Sequence, residues 1–222
     1  MKLPLIIAGS SGHALAIVDA FEQTSDYSIV GLLDDFKTAG DRVLEYPILG
    51  KIDQAADFVQ QFPGAEFFAA IGDNWGRFNV VSRIKSGVAN CKFASVAHPR
   101  AFVSPRCVLG HGVFIGPNAS VCAAVELGSH SIVNTNSAVD HNSVIGDFAS
   151  IGPGALLAGD VHVGDYSAVG MGAVIREKVR IGDHALVGAG SLVLDDIADE
   201  IVAIGSPAKN RKSRPKGQKY LR

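Results

Sequence analysis

Residues 145–170 read IGDFASIGPGALLAGDVHVGDYSAVG, and an aliphatic side chain stands at every sixth place: Ile145, Ile151, Leu157, Val163 and Val169. Followed outward in both directions, the phase holds without a gap from Val103 to Val193. The next place is commonly glycine, as at Gly128, Gly146, Gly164 and Gly182. A small residue sits four places after the aliphatic one, as at Ser131, Ala149, Ser167 and Ala185. A helix would space its apolar residues near 3.6 and would not carry this density of glycine, so the pattern predicts short strands joined by tight corners. Three six-residue repeats close one triangular coil of a parallel β-helix, and the run supplies about five coils, with the aliphatic columns inside the prism.

The first part of the chain reads differently. An apolar strand, LPLIIAG (3–9), runs into a glycine turn and a helical stretch over about 14–23, then a second strand, YSIVGLLDD (27–35). A helix is expected at 52–61, a strand at AEFFAAIGD (65–73), a helix around 75–86 and a last strand near FASVAHP (93–99). Strands alternating with helices imply a small parallel sheet of Rossmann-like type.

Composition bounds the rest. A hydrophobic share of 47% suffices for packed interiors, and the formal charge of −2 gives no general attraction to nucleic acid. The tail 209–222 is basic throughout and reads as a solvated end. Cys91, Cys107 and Cys122 form neither a disulfide framework nor a paired metal-ligand spacing. The apolar amino terminus is broken by Gly9, Ser10 and His13 where a signal peptide needs a continuous core, and no stretch is apolar enough to span a membrane. A cytoplasmic protein is expected.

Two places could carry chemistry. Gly9-Ser10-Ser11-Gly12-His13 ends the first strand and opens a helix, a turn that offers free N–H groups to a phosphate. Asp34 and Asp35 close the second strand, where α/β sheets put groups that grip a ribose or a base. Within the repeat, VNTNSAVDHNSV (133–144) departs from the pattern: Asn134 and Asp140 take the usual glycine place, and His141 lies in a polar cluster with Asp140 and Asn142. A histidine flanked by groups that can fix its ring and tautomer is a candidate general base. No two histidines stand one coil apart, so a zinc site is not expected. An ice-binding prism would need an array of threonines where the repeat has only Thr135. A nicotinamide oxidoreductase is disfavoured by the incomplete glycine fingerprint.

In this order, IIAGSSGH (6–13), LLDD (32–35), AIGDN (70–74), VDHNSVIGDF (139–148), AGDVHVG (158–164), VGAGSLV (187–193) and AIGSPAK (203–209) carry a family resemblance. The chain resembles bacterial nucleotide-sugar acetyltransferases of the bacillosamine and perosamine type, relatives of the sialic acid O-acetyltransferases. The resemblance implies an α/β plus β architecture: a Rossmann-like nucleotide-sugar-binding domain over 1–98, a left-handed parallel β-helix over 99–208 and the basic tail 209–222. It implies acetyl-CoA as co-substrate, bound between subunits of a homotrimer, no metal, and transfer to a 4-amino-deoxy sugar on UDP, GDP or dTDP, with sugar O-acetylation as the alternative. Carried onto this sequence, nucleotide-sugar contacts fall on Gly9, Ser11, Gly12, His13, Asp34, Asp35 and Lys37, with Asn74 close to the sugar. The base falls on His141, oriented by Asp140 or Asn142. Asn134, Ser150 and Gly188 fall on the acetyl-CoA side, and the thioester-facing N–H on Gly159, one coil above His141.

Overall fold

The computed structural model describes residues 2–24 and 26–220. The α/β half holds β1 (Leu3–Ala8), α1 (Gly12–Glu22), β2 (Tyr27–Leu33), β3 (Arg42–Val43), β4 (Tyr46–Gly50), a 3-10 turn (Ile52–Gln54), α2 (Ala55–Gln61), β5 (Glu66–Ala69) and α3 (Asn74–Gly87). The sheet order is β3-β4-β2-β1-β5, with only β3 antiparallel to its neighbour. Leu5, Ile6, Ile7 and Ala8 are all buried, which is why β1 reads as an unbroken apolar run: it is the central strand of a sheet covered on both faces. α1 buries Ala14, Ile17, Val18 and Phe21, a helical stripe. Strand order reverses at β1, so the crevice outside its carboxyl end, where Gly9–His13 lie, is the ligand position of an open α/β sheet.

The second half is a left-handed parallel β-helix. Its two-residue strands pair in parallel at a constant offset of one coil, as Phe102–Ser120–Ala138–Leu156–Val174–Leu192 along one face. The expected aliphatic columns fill the interior. Left-handed backbone recurs at every sixth residue, including Asn118, His130, Asn136, Asn142, Phe148, Asp160, Tyr166 and His184. The tight corners therefore fall not on the glycines that follow the aliphatic residues but two places further on. Those glycines serve close stacking of coils: a Cβ at Gly128 would lie 2.6 Å from the backbone of Gly146 and Asp147.

Two further differences concern the ends of the prism. The strand expected over 93–99 is shared between the halves: Phe93 bridges Phe67 of β5 in parallel, and Val96–Ala97 pairs with Phe114–Ile115 of the β-helix. The tail is solvated along most of its length, as expected, with Lys209, Arg211, Lys212, Lys216 and Lys219 exposed, but it is anchored. Ala208–Ser213 turns back antiparallel to Ile201–Gly205, and Arg214 beyond it is buried.

The halves meet along one vertex, where the left-handed corner residues His130, Phe148, Tyr166 and His184 stack ring on ring at 4.8, 5.4 and 4.6 Å. Trp75 and Phe78 of α3 pack edge-on and tilted against this ladder. The carbonyl of each ladder residue receives a side-chain donor from outside the prism. Arg77 Nε gives to His130 (2.8 Å) and its Nη2 to Phe148 (2.9 Å), Asn74 Nδ2 to Tyr166 (3.2 Å), and Arg214 Nη1 to His184 (2.7 Å). Arg77 is 1% exposed and also donates to the Ile71 and Gly72 carbonyls. Burial lowers its pKa to about 10, so the guanidinium keeps its charge at neutral pH. The α/β half is thus fixed to the prism, and β1's carboxyl end faces a defined part of it.

Candidate active site

Where the two halves adjoin, a slot of about 370 Å³ runs along the covered face of the prism. His13, Gly72 and Tyr220 wall one end, beside Ile132, Asn134 and Ser150. Val187, Gly188 and Ala189 form the other end. Those ends are three coils apart, roughly 14 Å at 4.8 Å per coil. The walls between are Ile151, Gly152, Val169, Gly170 and Met171, apolar and narrow. His13, Asn134, Ser150 and Gly188, separated by up to most of the chain in sequence, are therefore brought together.

His13 sits edge-on to Phe114 with ring centroids 5.7 Å apart. Burial, helped by the charge of Arg77, lowers its pKa to about 4, and its Nε2 has no partner among the described residues although it is buried. A neutral imidazole with an unsatisfied nitrogen on the slot calls for a polar group of a ligand. Ser11, in extended conformation, precedes α1 without a side-chain capping bond, which leaves the first-turn N–H groups open to an anion. Gly9, with φ +105°, makes the turn that aims them.

The acidic pair is committed inside the chain. Asp34 accepts from the Ser10 hydroxyl (2.6 Å) and from the N–H groups of Phe36 and Lys37 (2.8 and 3.1 Å). Although burial pushes the other way, these bonds hold its carboxyl below the usual range. Asp35 pairs with Arg83 at 2.5 Å, which lowers its pKa in turn. The Lys37 carbonyl accepts from Lys51 Nζ (2.8 Å). Together they pin the loop after β2 against the Gly9–His13 turn and leave Phe36 standing 97% exposed. Asn74 is fully enclosed one layer behind the slot, where its Oδ1 accepts from Arg77, Ser150 and Tyr220. Arg77, Arg214 and Tyr220 went unnoticed in the sequence; their partners are mostly backbone carbonyls far along the chain, which leave no motif.

His141 lies elsewhere. It occupies another vertex of the same coil that carries Asn134. Its N–H is held by Asp140 (2.7 Å), and its Nδ1 lies 3.1 Å from the Asn142 amide. Of the two flanking residues, Asn142 contacts the ring and Asp140 the backbone. The ring extends over Gly159 of the next coil: a Cβ there would come 2.5 Å from His141 Cε1. The Gly159 N–H finds no acceptor among the described residues, while its carbonyl takes the Lys178 N–H. An imidazole and a free amide hydrogen adjoin at this vertex, one able to take a proton and the other to meet a negative oxygen.

No group of three or more His, Cys, Asp or Glu among the described residues is placed to hold a metal ion, and no described helix is long and apolar enough to cross a membrane.

A Rossmann-like sheet locked onto a hexapeptide β-helix, with an elongated slot at the junction, defines the class of two-domain hexapeptide acyltransferases. The PglD N-terminal domain family matches residues 4–84, and the bacterial transferase hexapeptide family matches 142–177 and 160–195. Perosamine N-acetyltransferase from Caulobacter crescentus, solved as a histidine-to-asparagine variant with CoA and GDP-perosamine, superposes with a TM-score of 0.88. It is 31% identical, over 95% of this chain and 97% of that one. The acetyltransferase domain of PglB from Neisseria gonorrhoeae, solved with acetyl coenzyme A, gives 0.87 at 30% identity, over 95% and 100%. UDP-N-acetylbacillosamine N-acetyltransferase from Bacillus subtilis is 33% identical over 110 residues, 49% of each chain. The chain spans about half or less of the length of the curated relatives it matches. The chain belongs to the nucleotide-sugar N-acetyltransferases of the perosamine and bacillosamine type.

Proposed function

We propose that this chain transfers the acetyl group of acetyl-CoA to the amine of a nucleotide-linked 4-amino-deoxy sugar, at a site completed between subunits of a homotrimer. The observation that carries the reading is the division of the site: slot and base lie at different vertices of one coil, flanking the same face.

That face is the open one. Its outward row, Phe102, Ser120, Ala138, Leu156, Val174 and Leu192, holds no charge, and Phe102, Leu156 and Val174 are exposed. A second outward row mixes Val108 and Val144 with Glu126, His162 and Arg180 and so carries charge, and the third packs under the α/β half through Phe114 and Ile132. An uncharged apolar face on an elongated prism favours burial against another copy. In a closed three-fold ring each chain presents one flank of a face to the opposite flank of its neighbour. Rotation about an axis parallel to the prism preserves height, so His141 of one chain comes opposite Asn134 of the next.

The slot suits a pantetheine arm: slender, about three coils long, apolar along its length. Acetyl-CoA supplies a thioester whose carbonyl carbon is the electrophile. The open N–H groups before α1 bind the diphosphate, and His13 and Asn134 face the sugar between phosphate and slot. His141 takes a proton from the attacking nitrogen as the carbon–nitrogen bond forms, and passes it to the departing sulfur. Base action at Nε2 requires hydrogen on Nδ1, so the Asn142 amide, whose Nδ2 lies 3.1 Å from Nδ1, must turn to present its oxygen there. The Gly159 N–H donates to the carbonyl oxygen as negative charge builds there, an effect typically worth about 3 kcal/mol.

The test is acetyl transfer followed by mass spectrometry across UDP-, GDP- and dTDP-linked 4-amino sugars, with hydroxyl-bearing counterparts alongside. Acetylation of one amine-bearing acceptor is expected. Acetylation of hydroxyl acceptors alone would replace the reading with O-acetyl transfer.

A further inference from the structure

The segment after the last hairpin makes contacts that a mere tether for the two halves does not need. Arg214 is buried, gives Nη1 to the His184 carbonyl and Nη2 to the Gln218 carbonyl (3.0 Å), and lies 5.4 Å from the Tyr220 ring. Gly217, with φ +77°, passes so close to Trp75 that a Cβ would lie 2.9 Å from its Nε1. These two anchors already cover α3, yet the chain continues across to Asp73. There the Tyr220 N–H meets the Asp73 carboxylate (3.3 Å), and its hydroxyl reaches the Gly72 carbonyl (3.2 Å) and Asn74 Oδ1 (3.1 Å). Its side chain then walls the slot beside His13 and Asn134.

We propose that residues 214–220 form a strap that belongs to the acceptor site, with the Tyr220 ring as the wall that sets how deeply the sugar of a nucleotide-linked substrate sits. The inference rests on the transfer reaction proposed above. With phosphate at the start of α1 and the thioester inside the slot, the sugar must lie between, against His13, Asn134 and Tyr220. An aromatic ring offers the C–H face of a sugar a flat apolar surface, and both hydroxyl bonds fix that ring from behind.

Tyr220→Ala is therefore expected to raise KM for the nucleotide amino sugar at least about tenfold, with kcat and the KM for acetyl-CoA within about twofold. Tyr220→Phe keeps the wall and loses only the bonds behind it, and stays within about threefold of the parent. Gly217→Val, outside the slot, displaces the strap from Trp75 and reproduces the acceptor defect with Tyr220 intact. If wild-type chain transfers no acetyl group, the parent reading fails. If it does, and Tyr220→Ala leaves the acceptor KM unchanged while lowering the melting temperature, the strap is only a brace and this inference fails. It fails equally if the KM for acetyl-CoA rises in place of the acceptor's.

Discussion

Asn134 and His141 stand seven residues apart on one coil, and the molecule treats their two vertices in opposite ways. Around Asn134 the chain makes its longest-range contacts: the β1 turn, Gly72 before α3 and the carboxyl-terminal strap converge to wall a slot, and Arg77 and Asn74 tie them to the corner carbonyls of the adjacent ladder. Around His141 the fixing is local, by Asp140, Asn142 and the space over Gly159. One vertex is a finished cavity and the other a poised side chain in the open. The difference is what the proposed reading requires: a chain that supplies both halves of a site without joining them.

Substitutions can break each vertex separately. Among substitutions that spare both His141 and the slot lining, the largest effect is expected from Gly159→Ala, whose new methyl group would collide with the His141 imidazole. A ring displaced by an ångström costs about a hundredfold in kcat, while acetyl-CoA affinity, read by calorimetry, stays within about threefold. Arg77→Met strikes instead the aromatic ladder that holds the α/β half, and with it the slot's wall. It leaves the His130 and Phe148 carbonyls buried without donors, and chemical denaturation should register a loss of about 3 kcal/mol. An equal loss of kcat in both variants, with no change in stability, would erase the distinction.

The smallest effect is a pH dependence confined to the junction of the two halves. Burial above all lowers the pKa of His13 from 6.5 to about 4, and that of His130 from 6.5 to about 3. The unfolded chain takes up these protons near pH 6.5 and the folded chain does not, so the stability they confer is full above that pH. It is lost progressively as pH falls toward 4 and then 3. His130→Phe, which keeps a ring in the ladder, should flatten the decline in unfolding free energy measured between pH 7 and pH 5. A parallel decline in variant and parent would assign the acid sensitivity to other groups.

Much of this was legible in the sequence, for reasons tied to particular residues. The coils announce themselves because each aliphatic column is one side chain repeated at a fixed interval, and Asn134, Asp140 and His141 are visible as breaks in that rhythm. The geometry of the corners was hidden, since left-handed backbone is carried by His130, Phe148 and Tyr166, where stacking of rings in neighbouring coils compensates for the absence of glycine. Arg77 and Arg214 were hidden for a different reason: a donor aimed at a distant carbonyl has no partner side chain to be read. The tail's basic composition suggested solvent, but its position is set by one buried arginine, one close glycine and one tyrosine. Asp34 and Asp35 were visible as a pair; their bonds to Ser10 and Arg83 were not.

The division of the site between subunits is tested most directly by mixing two defective chains. His141→Ala keeps its slot and lacks the base; Ala189→Trp keeps the base and fills the far end of the slot. Each alone should lose about a thousandfold in turnover. Co-refolded in equal amounts, they should regain about a quarter of wild-type activity, because random assembly pairs an intact slot with an intact histidine at about one interface in four. Activity that stays at the level of the separate variants, in mixtures whose light scattering shows assembled trimers, would contradict a site shared between neighbouring chains.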